Sequence, residues 1–127
     1  MSFEMAKKIR VMIVDDNVVV RIGISSLLRL EPEMIMVGEA ANGLEAVDLA
    51  GSLCPDVILM DINMPVMNGL EATRIIHSKF PHIRIVGLSM YDEKDLAAAM
   101  IAAGASAYQS KSDSAGLILS AIRGEIE

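Results

Sequence analysis

The fold is decided by the stretch DVILMDINMPVMNGLEATRII, residues Asp56 to Ile76. It opens with a short apolar run, Val57 to Met60, which ends at Asp61. An apolar run without strict alternation is typical of a strand buried on both faces, as in a parallel sheet. After a loop, Gly69 to Phe80 carries apolar residues at helical spacing. The stretch therefore predicts one β-α unit with an acidic residue at the end of its strand.

The same alternation recurs along the whole chain. Further strands are predicted at Ile9 to Val14, Met34 to Val37, Ile83 to Leu88 and, with a weaker pattern, Ala105 to Gln109. Further helices are predicted at Val18 to Leu30, Gly43 to Gly51, Glu93 to Ala103 and Ser114 to Arg123, with Gly51, Pro81 and Gly104 as helix stops. Five β-α units predict an α/β fold: a flavodoxin-like, doubly wound three-layer sandwich with a five-stranded parallel sheet of order 2-1-3-4-5 and five helices.

Length and composition indicate a single globular domain. The chain has 127 residues, of which 53% are hydrophobic and 22% charged. We expect a tail at 1–8, the domain at 9–124, and at 125–127 a tail or the start of a linker to a missing effector. No apolar run reaches about 18 residues, so no membrane span is expected. The net charge of −6 argues against binding of a nucleic acid by this domain.

The cysteine and the histidines carry no predicted chemistry. Cys54 is the only cysteine, so an intramolecular disulfide is excluded, and we expect an inert, packed thiol. Residues 1–8 lack a secretory pattern, and a reducing cytoplasm fits. His77 and His82 are expected on the surface at the end of a helix, because no metal-ligand spacing or triad can be built on them.

Polar residues follow the predicted strands where ligands bind in such a sheet, beyond its carboxyl edge. Asp15 and Asp16 follow the first strand, Asp61 the third, Ser89 the fourth and Lys111 the fifth. Taken singly, an aspartate could cap a helix, the serine could belong to a turn, and the lysine could be a solvated charge. Taken together, they predict a magnesium and phosphate site. Clustered carboxylates favour a hard divalent cation, and a carboxylate can act as a nucleophile toward phosphorus.

Four segments of the chain carry a resemblance to a known family. The Asp61, Met64, Pro65 and Gly69 spacing resembles the phosphorylation loop of bacterial response-regulator receiver domains. VMIVDDNVVVRIGISSLL (Val11 to Leu28), IRIVGLSMYD (Ile83 to Asp92) and GASAYQSK (Gly104 to Lys111) are similar to that family's acidic-pair, switch-hydroxyl and lysine segments. The pattern is closest to the NarL/FixJ-type subgroup. It departs at Val18, where proline is common, and at Ser89, where threonine is commoner.

The resemblance implies a Mg²⁺-dependent phosphorylation switch. Asp61 would accept a phosphoryl group from a sensor histidine kinase or a phosphotransfer protein. Asp16, Asp61 and the backbone carbonyl of Asn63 would bind Mg²⁺ directly, and Asp15 would act through a bound water. Lys111 would contact the phosphate.

The family also implies switch and lifetime residues. Ser89 would be drawn inward and Tyr108 would turn into the space that it leaves, altering the face of the fourth helix, fifth strand and fifth helix. Asn63 and Tyr91 would tune the lifetime of the phosphorylated state. Implied partners include an effector domain absent from this chain, with DNA binding and homodimerisation left open. Such a receiver would not be an enzyme beyond its own phosphorylation and dephosphorylation.

Three alternatives remain at this level. The domain could be a receiver excised from a hybrid sensor kinase. An aspartate-nucleophile phosphatase also uses a strand-end aspartate, Mg²⁺ and a lysine. Such phosphatases place a second acid two residues after the nucleophile, where this chain has Asn63, which cannot act as that general acid. A flavin or nucleotide binder is disfavoured by the lack of a glycine-rich phosphate loop after a strand.

Overall fold

The computed structural model describes residues 7–89 and 94–125, in which five parallel strands alternate with five helices. The sheet has the order β2-β1-β3-β4-β5, which confirms the predicted doubly wound arrangement. The strands are β1 (Ile9–Val14), β2 (Met34–Ala40), β3 (Val57–Asp61), β4 (Arg84–Ser89) and β5 (Ala107–Ser110). The helices are α1 (Val18–Arg29), α2 (Gly43–Leu53), α3 (Gly69–Lys79), α4 (Lys94–Ala103) and α5 (Ala115–Arg123).

The sheet separates two apolar cores, because successive side chains of a strand point to opposite faces. In β1, Val11 and Ile13 face one core, and Met12 and Val14 face the other. Helices α1 and α5 cover the first core, and α2, α3 and α4 cover the second. All five residues of β3 are buried. This two-sided burial explains why the strands have near-continuous apolar runs.

Asparagine side chains begin three of the helices. Asn17 accepts hydrogen bonds from the N–H groups of Val19 and Val20, and so begins α1. Asn42 and Asn68 act in the same way for α2 and α3, each accepting from a backbone N–H three residues later. A side-chain oxygen at this position satisfies one of the N–H groups that the first turn leaves unpaired. Because Asn17 fills this role, Asp15 and Asp16 are not the caps of α1.

The predicted end of α2 at Gly51 is wrong, and so is the packed state of Cys54. The helix continues to Leu53 and ends at Cys54, which has a left-handed backbone (φ 49°) and is exposed. Pro55 cannot continue the helix, because it lacks a backbone N–H. The two additional residues let Leu53 pack over Gly38, where a β-carbon would lie only 2.5 Å from Leu53 Cδ1.

The other element bounds differ from prediction by a few residues at most, except in β2. This strand runs three residues beyond Val37, because after an irregularity between Val11 and Met12 it pairs with β1 as far as Val14.

His77 and His82 are exposed, as predicted. Glu93, the predicted start of α4, lies outside the described residues. No helix in the described ranges has the length and apolar character needed to cross a membrane.

Candidate functional site

Three carboxylates converge at the carboxyl edge of the two central strands. Val14 of β1 is in register with Met60 of β3, so the residues that follow, Asp15 and Asp61, leave the sheet side by side. Asp15, Asp16 and Asp61 each offer one carboxylate oxygen, and these oxygens lie within 4.8 Å of one another. Asp15 and Asp61 are buried, whereas Asp16 is exposed. This acidic cluster is the one that the strand ends predicted.

Asp15 is held by other residues of the protein through its backbone N–H and both carboxylate oxygens. Its N–H donates to the carbonyl of Ala40 in β2 at 3.0 Å. Its Oδ1 accepts from the N–H of Asn17 at 2.9 Å, and its Oδ2 lies 2.6 Å from Lys111 Nζ. In contrast, no hydrogen bond or ion pair within the described residues holds the carboxylate of Asp16. Asp16 is therefore the carboxylate that is free to bind a cation.

Asp61 is buried beside like charges. Burial raises the pKa of the Asp61 carboxyl, and the neighbouring Asp15 and Asp16 raise it further, against the lowering effect of Lys111. Lys111 Nζ lies 3.1 Å from Asp61 Oδ1. The net increase in pKa means that, without a bound cation, the surroundings of Asp61 disfavour its ionised form. A bound cation would reverse this, because it favours the ionised form.

Lys111 lies between Asp15 and Asp61 and is not a solvated charge. Its backbone N–H donates to the carbonyl of Ser89 at 2.7 Å, which fixes the chain after β5 against the end of β4. Only 12% of its side chain is exposed. Burial by itself would lower the pKa of the ammonium, but hydrogen bonds to the two carboxylates outweigh it, and the pKa is raised.

The predicted switch residues lie on the last two strands. Ser89 is the buried last residue of β4, in register with Ser110. Tyr108 is in register with Gly87 and packs against the second core. A β-carbon at position 87 would lie 2.9 Å from Met100 Cε and 3.1 Å from Tyr108 Cδ1. The absence of a side chain at Gly87 therefore makes room for the tyrosine ring.

The loop after β3 presents Asn63 to solvent. It is held by Gly69, whose N–H donates to the carbonyl of Ile62 at 2.8 Å. A β-carbon at position 69 would overlap the carbonyl oxygen of Asp61, so only glycine permits this approach. Val66, in the same loop, has φ 68°. Tyr91, the other predicted lifetime residue, lies outside the described residues.

The sequence analysis did not identify Arg21. Its Nη1 donates to the carbonyl of Asp15 at 2.5 Å, and its Nε donates to Glu39 Oε1 at 2.9 Å. The available signal was a charged residue in α1, about one turn after the acidic pair. That signal did not indicate the acceptors, because Glu39 is 18 residues away in the chain.

Comparisons with known proteins place these features in a family. A family model described as the response regulator receiver domain matches residues 11–123. The transcriptional regulatory proteins LnrK and LiaR of Bacillus subtilis are each 41% identical, over 90% and 91% of this chain and 52% and 54% of theirs. The chain thus spans about half the length of these curated relatives.

Solved structures give the same assignment. The response regulator domain of Thermotoga maritima CheB is 33% identical with a TM-score of 0.87, covering 95% of this chain and 99% of that one. The receiver domain of the putative response regulator NarL from Mycobacterium tuberculosis is 28% identical with a TM-score of 0.86, covering 94% and 99%.

Proposed function

This chain belongs to the response regulator receiver domain family of two-component systems, and we propose that it is a Mg²⁺-dependent phosphorylation switch with Asp61 as phosphoacceptor. The observation that carries the proposal is the approach of the Asp15, Asp16 and Asp61 carboxylate oxygens to within 4.8 Å, beside Lys111. Three acids around one ammonium leave net negative charge in a largely buried site. A divalent cation balances that charge.

The contacts of each carboxylate suggest how the cation is held. Asp16 is exposed and unengaged, and Asp61 is engaged by Lys111 through Oδ1. These two side chains are therefore the direct ligands, together with the backbone carbonyl of Asn63. Asp15 already has both oxygens occupied, by Asn17 and Lys111, so it acts through a bound water. Mg²⁺ would supply charge neutralisation for the phosphate oxygens when bound.

The reaction is a phosphoryl transfer to a carboxylate. A carboxylate oxygen of Asp61 forms the new O–P bond, the P–N bond of the donor phosphohistidine breaks, and the imidazole leaves with the bonding pair and is protonated. Lys111 then pairs with the phosphate in place of Asp15 or Asp61. The Ser89 hydroxyl donates to another phosphate oxygen, and Tyr108 turns inward and alters the α4-β5-α5 face.

The wider role follows from the same proposal. The donor is a sensor histidine kinase or a phosphotransfer protein, and the output passes to an effector in the cytoplasm. The relatives LnrK and LiaR are named as transcriptional regulatory proteins, so a DNA-binding effector is the partner that we infer. We expect no turnover of other substrates. The phosphatase alternative lacks its general acid, because Asn63 stands at that position.

Labelling with a small phosphodonor tests the assignment. Incubation with the donor and Mg²⁺ should add one phosphoryl group, seen by mass spectrometry, and chelation of Mg²⁺ should prevent it. Asp61→Asn should abolish labelling, because an amide is a poor nucleophile. Asp48→Asn removes an exposed charge from α2 and serves as the matched control, which should label like the wild type. Labelling of Asp61→Asn at the wild-type level would disprove the assignment.

A further inference from the structure

Arg21 joins three elements beside the acidic cluster. It lies on α1, and its guanidinium donates both to the carbonyl of Asp15, at the end of β1, and to the carboxylate of Glu39 in β2. Only 17% of the Arg21 side chain is exposed, compared with 43% for Glu39. Since the rigid, planar guanidinium can direct separate N–H groups at two acceptors, both bonds form at once.

The acceptor on Asp15 is its backbone oxygen and not its carboxylate. That oxygen belongs to the peptide group that joins Asp15 to Asp16. On its other side, the Asp15 N–H donates to the carbonyl of Ala40, the residue after Glu39. The backbone of Asp15 is thus held from two directions, by β2 and by Arg21. Rotation of the Asp15–Asp16 peptide would move the carboxylate of Asp16, for which the described residues offer no other tether.

We propose that Arg21 is a positioning residue for the cation site. It fixes the Asp15–Asp16 peptide so that the exposed Asp16 carboxylate stays beside Asp61 although the two repel each other. This inference rests on the proposed Mg²⁺ binding and adds to it a residue that touches neither the cation nor the phosphate.

Glu39 also neutralises the positive charge that Arg21 brings close to the acidic cluster. A guanidinium next to the cluster would by itself lower the local affinity for a cation, because like charges repel. The ion pair with Glu39, at 2.9 Å, makes the Arg21–Glu39 unit neutral. One hydrogen bond from Arg21 therefore anchors the peptide, and the bond to Glu39 holds the guanidinium in place without a loss of negative potential at the site.

A charge-matched double variant separates anchoring from electrostatics. Arg21→Met combined with Glu39→Gln removes the anchor but leaves the net charge of the protein unchanged. We expect Mg²⁺ binding, measured by titration of backbone amide NMR shifts, to weaken roughly tenfold, as for other groups that orient metal ligands. Arg29→Met, at an exposed position on the same helix, is the control and should bind Mg²⁺ nearly as well as the wild type.

The outcomes distinguish this inference from the proposed function. If the wild type itself does not respond to Mg²⁺, the proposed function fails. If the wild type binds and the double variant binds equally well, only the positioning role fails, even if the variant melts at a lower temperature.

A second variant keeps the test decisive should the double variant not fold. Arg21→Lys retains the charge, but one ammonium lacks the planar fork that serves both acceptors. We expect an affinity between those of the wild type and the double variant. Wild-type affinity in Arg21→Lys would overturn the requirement for the guanidinium.

Discussion

At the scale of single residues, Val66 has a backbone conformation that valine adopts poorly. Its φ of 68° lies in the left-handed region, and its side chain is 79% exposed, so little burial offsets the strain. In that region a β-carbon costs roughly 1–2 kcal/mol, and β-branching adds crowding. The valine is therefore a local weakness in the loop beside Asp61.

Val66→Gly should accordingly stabilise the domain. Relief of the strain exceeds the entropy that glycine adds to the unfolded chain, and we expect a gain of roughly 0.5–1 kcal/mol in the free energy of unfolding. Urea denaturation followed by circular dichroism measures it. The control is Val19→Gly, a similarly exposed valine in the first turn of α1, where glycine should destabilise by roughly 0.3–0.5 kcal/mol relative to valine. A loss of stability in both variants would contradict the strain at position 66.

Asp61 lies in the acidic cluster for which we propose a cation, and its carboxylate is disfavoured when no cation is bound. Since burial and two neighbouring carboxylates raise the pKa of the Asp61 carboxyl, its ionised form is disfavoured there despite Lys111. Asp61→Asn should therefore raise the melting temperature in a chelating buffer by a few degrees. Added Mg²⁺ should stabilise the wild type by mass action and this variant much less. A variant that is less stable without Mg²⁺ would mean that the Lys111 pairing outweighs the repulsion.

The residues of the acidic cluster were predictable, whereas the residues that hold it were not. Asp61 is the last residue of β3, and Asp15, Asp16 and Lys111 follow β1 or β5, so the fold alone brings them to one edge. The Arg21–Glu39 pair depends on the rotation of α1 relative to β2, which no local pattern encodes. The exposure of Cys54 likewise depended on two further residues of helix before Pro55.

At the scale of elements, the C-terminus of α5 is tied to the sheet by Arg84. Its Nη1 and Nη2 donate to the carbonyls of Ile122 and Ala121, both at 2.7 Å. These carbonyls lie in the last turn, where a helix lacks partners of its own, and a cation there also complements the helix dipole. Arg84 thereby couples β4, which ends at Ser89, to α5.

Arg84→Met should destabilise the domain by about 2 kcal/mol, because two hydrogen bonds from a charged donor are lost and two carbonyls are left without it. Chemical denaturation measures the loss. Arg74→Met is the control, since Arg74 makes only an exposed pair with Glu71 at 3.4 Å, and its removal should change stability by less than about 0.5 kcal/mol. Equal effects of the two substitutions would show that the bonds to α5 contribute little.

Arg123 ties the same helix to the segment before β2. It donates to Glu31 at 2.6 Å and to Glu33 at 2.7 Å, and its hydrogen bond is the main reason that the pKa of Glu33 is lowered. A lowered folded-state pKa gives stability that is present above the unfolded-state pKa and is lost as the pH falls through the folded-state value.

The stability that Glu33 contributes should therefore fade on acidification below its ordinary pKa. Arg123→Met should be less stable than the wild type near neutral pH, and the difference should shrink as Glu33 protonates. Melting curves of both proteins across the acidic range measure it, with Glu33→Gln as the matched variant, which should show the same convergence. A difference independent of pH would assign the role of Arg123 to packing. We expect a small effect, because both side chains are partly exposed.

The element bounds show where sequence patterns stop being informative. Buried strands were found because the middle of each central strand is a near-continuous apolar run, as at Val57 to Met60 of β3 and Ile85 to Leu88 of β4. The last residues of β2 were missed because Gly38 and Glu39 look like a turn. They extend the strand because Gly38 and Glu39 pair with Met12 and Ile13 of β1, and this pairing is tertiary.

At the scale of the whole molecule, the strand order connects the acidic site to the face proposed for output. Since β3 pairs with β4 and β4 with β5, Asp61, Ser89 and Ser110 end three adjacent strands at one edge. This order was predictable from the β-α alternation, because right-handed crossovers leave few arrangements. The conformational change proposed for the α4-β5-α5 face rests instead on the family resemblance, because the difference in free energy between two conformations cannot be read from strand order.

Replacing Lys111 tests the proposed change of the α4-β5-α5 face most directly. Lys111 is bonded through its backbone to Ser89 and through its side chain to Asp15 and Asp61, so a phosphate on Asp61 would change its partners. Lys111→Ala should still bind Mg²⁺, and more tightly, because removal of the ammonium leaves more negative charge among the carboxylates. It should still be labelled at Asp61, since the nucleophile is intact. The amide NMR shifts that phosphorylation produces in residues 94–125 should be largely lost, because no ammonium draws the end of β5 toward the phosphate.

Lys79→Ala removes an exposed lysine from α3 and should respond to phosphorylation like the wild type. If Lys111→Ala shows the full shifts in residues 94–125, the signal does not pass through this ammonium. The hydroxyl of Ser89 would then be the remaining link from the phosphate to β5, since its strand is paired with β5 as far as Ser110.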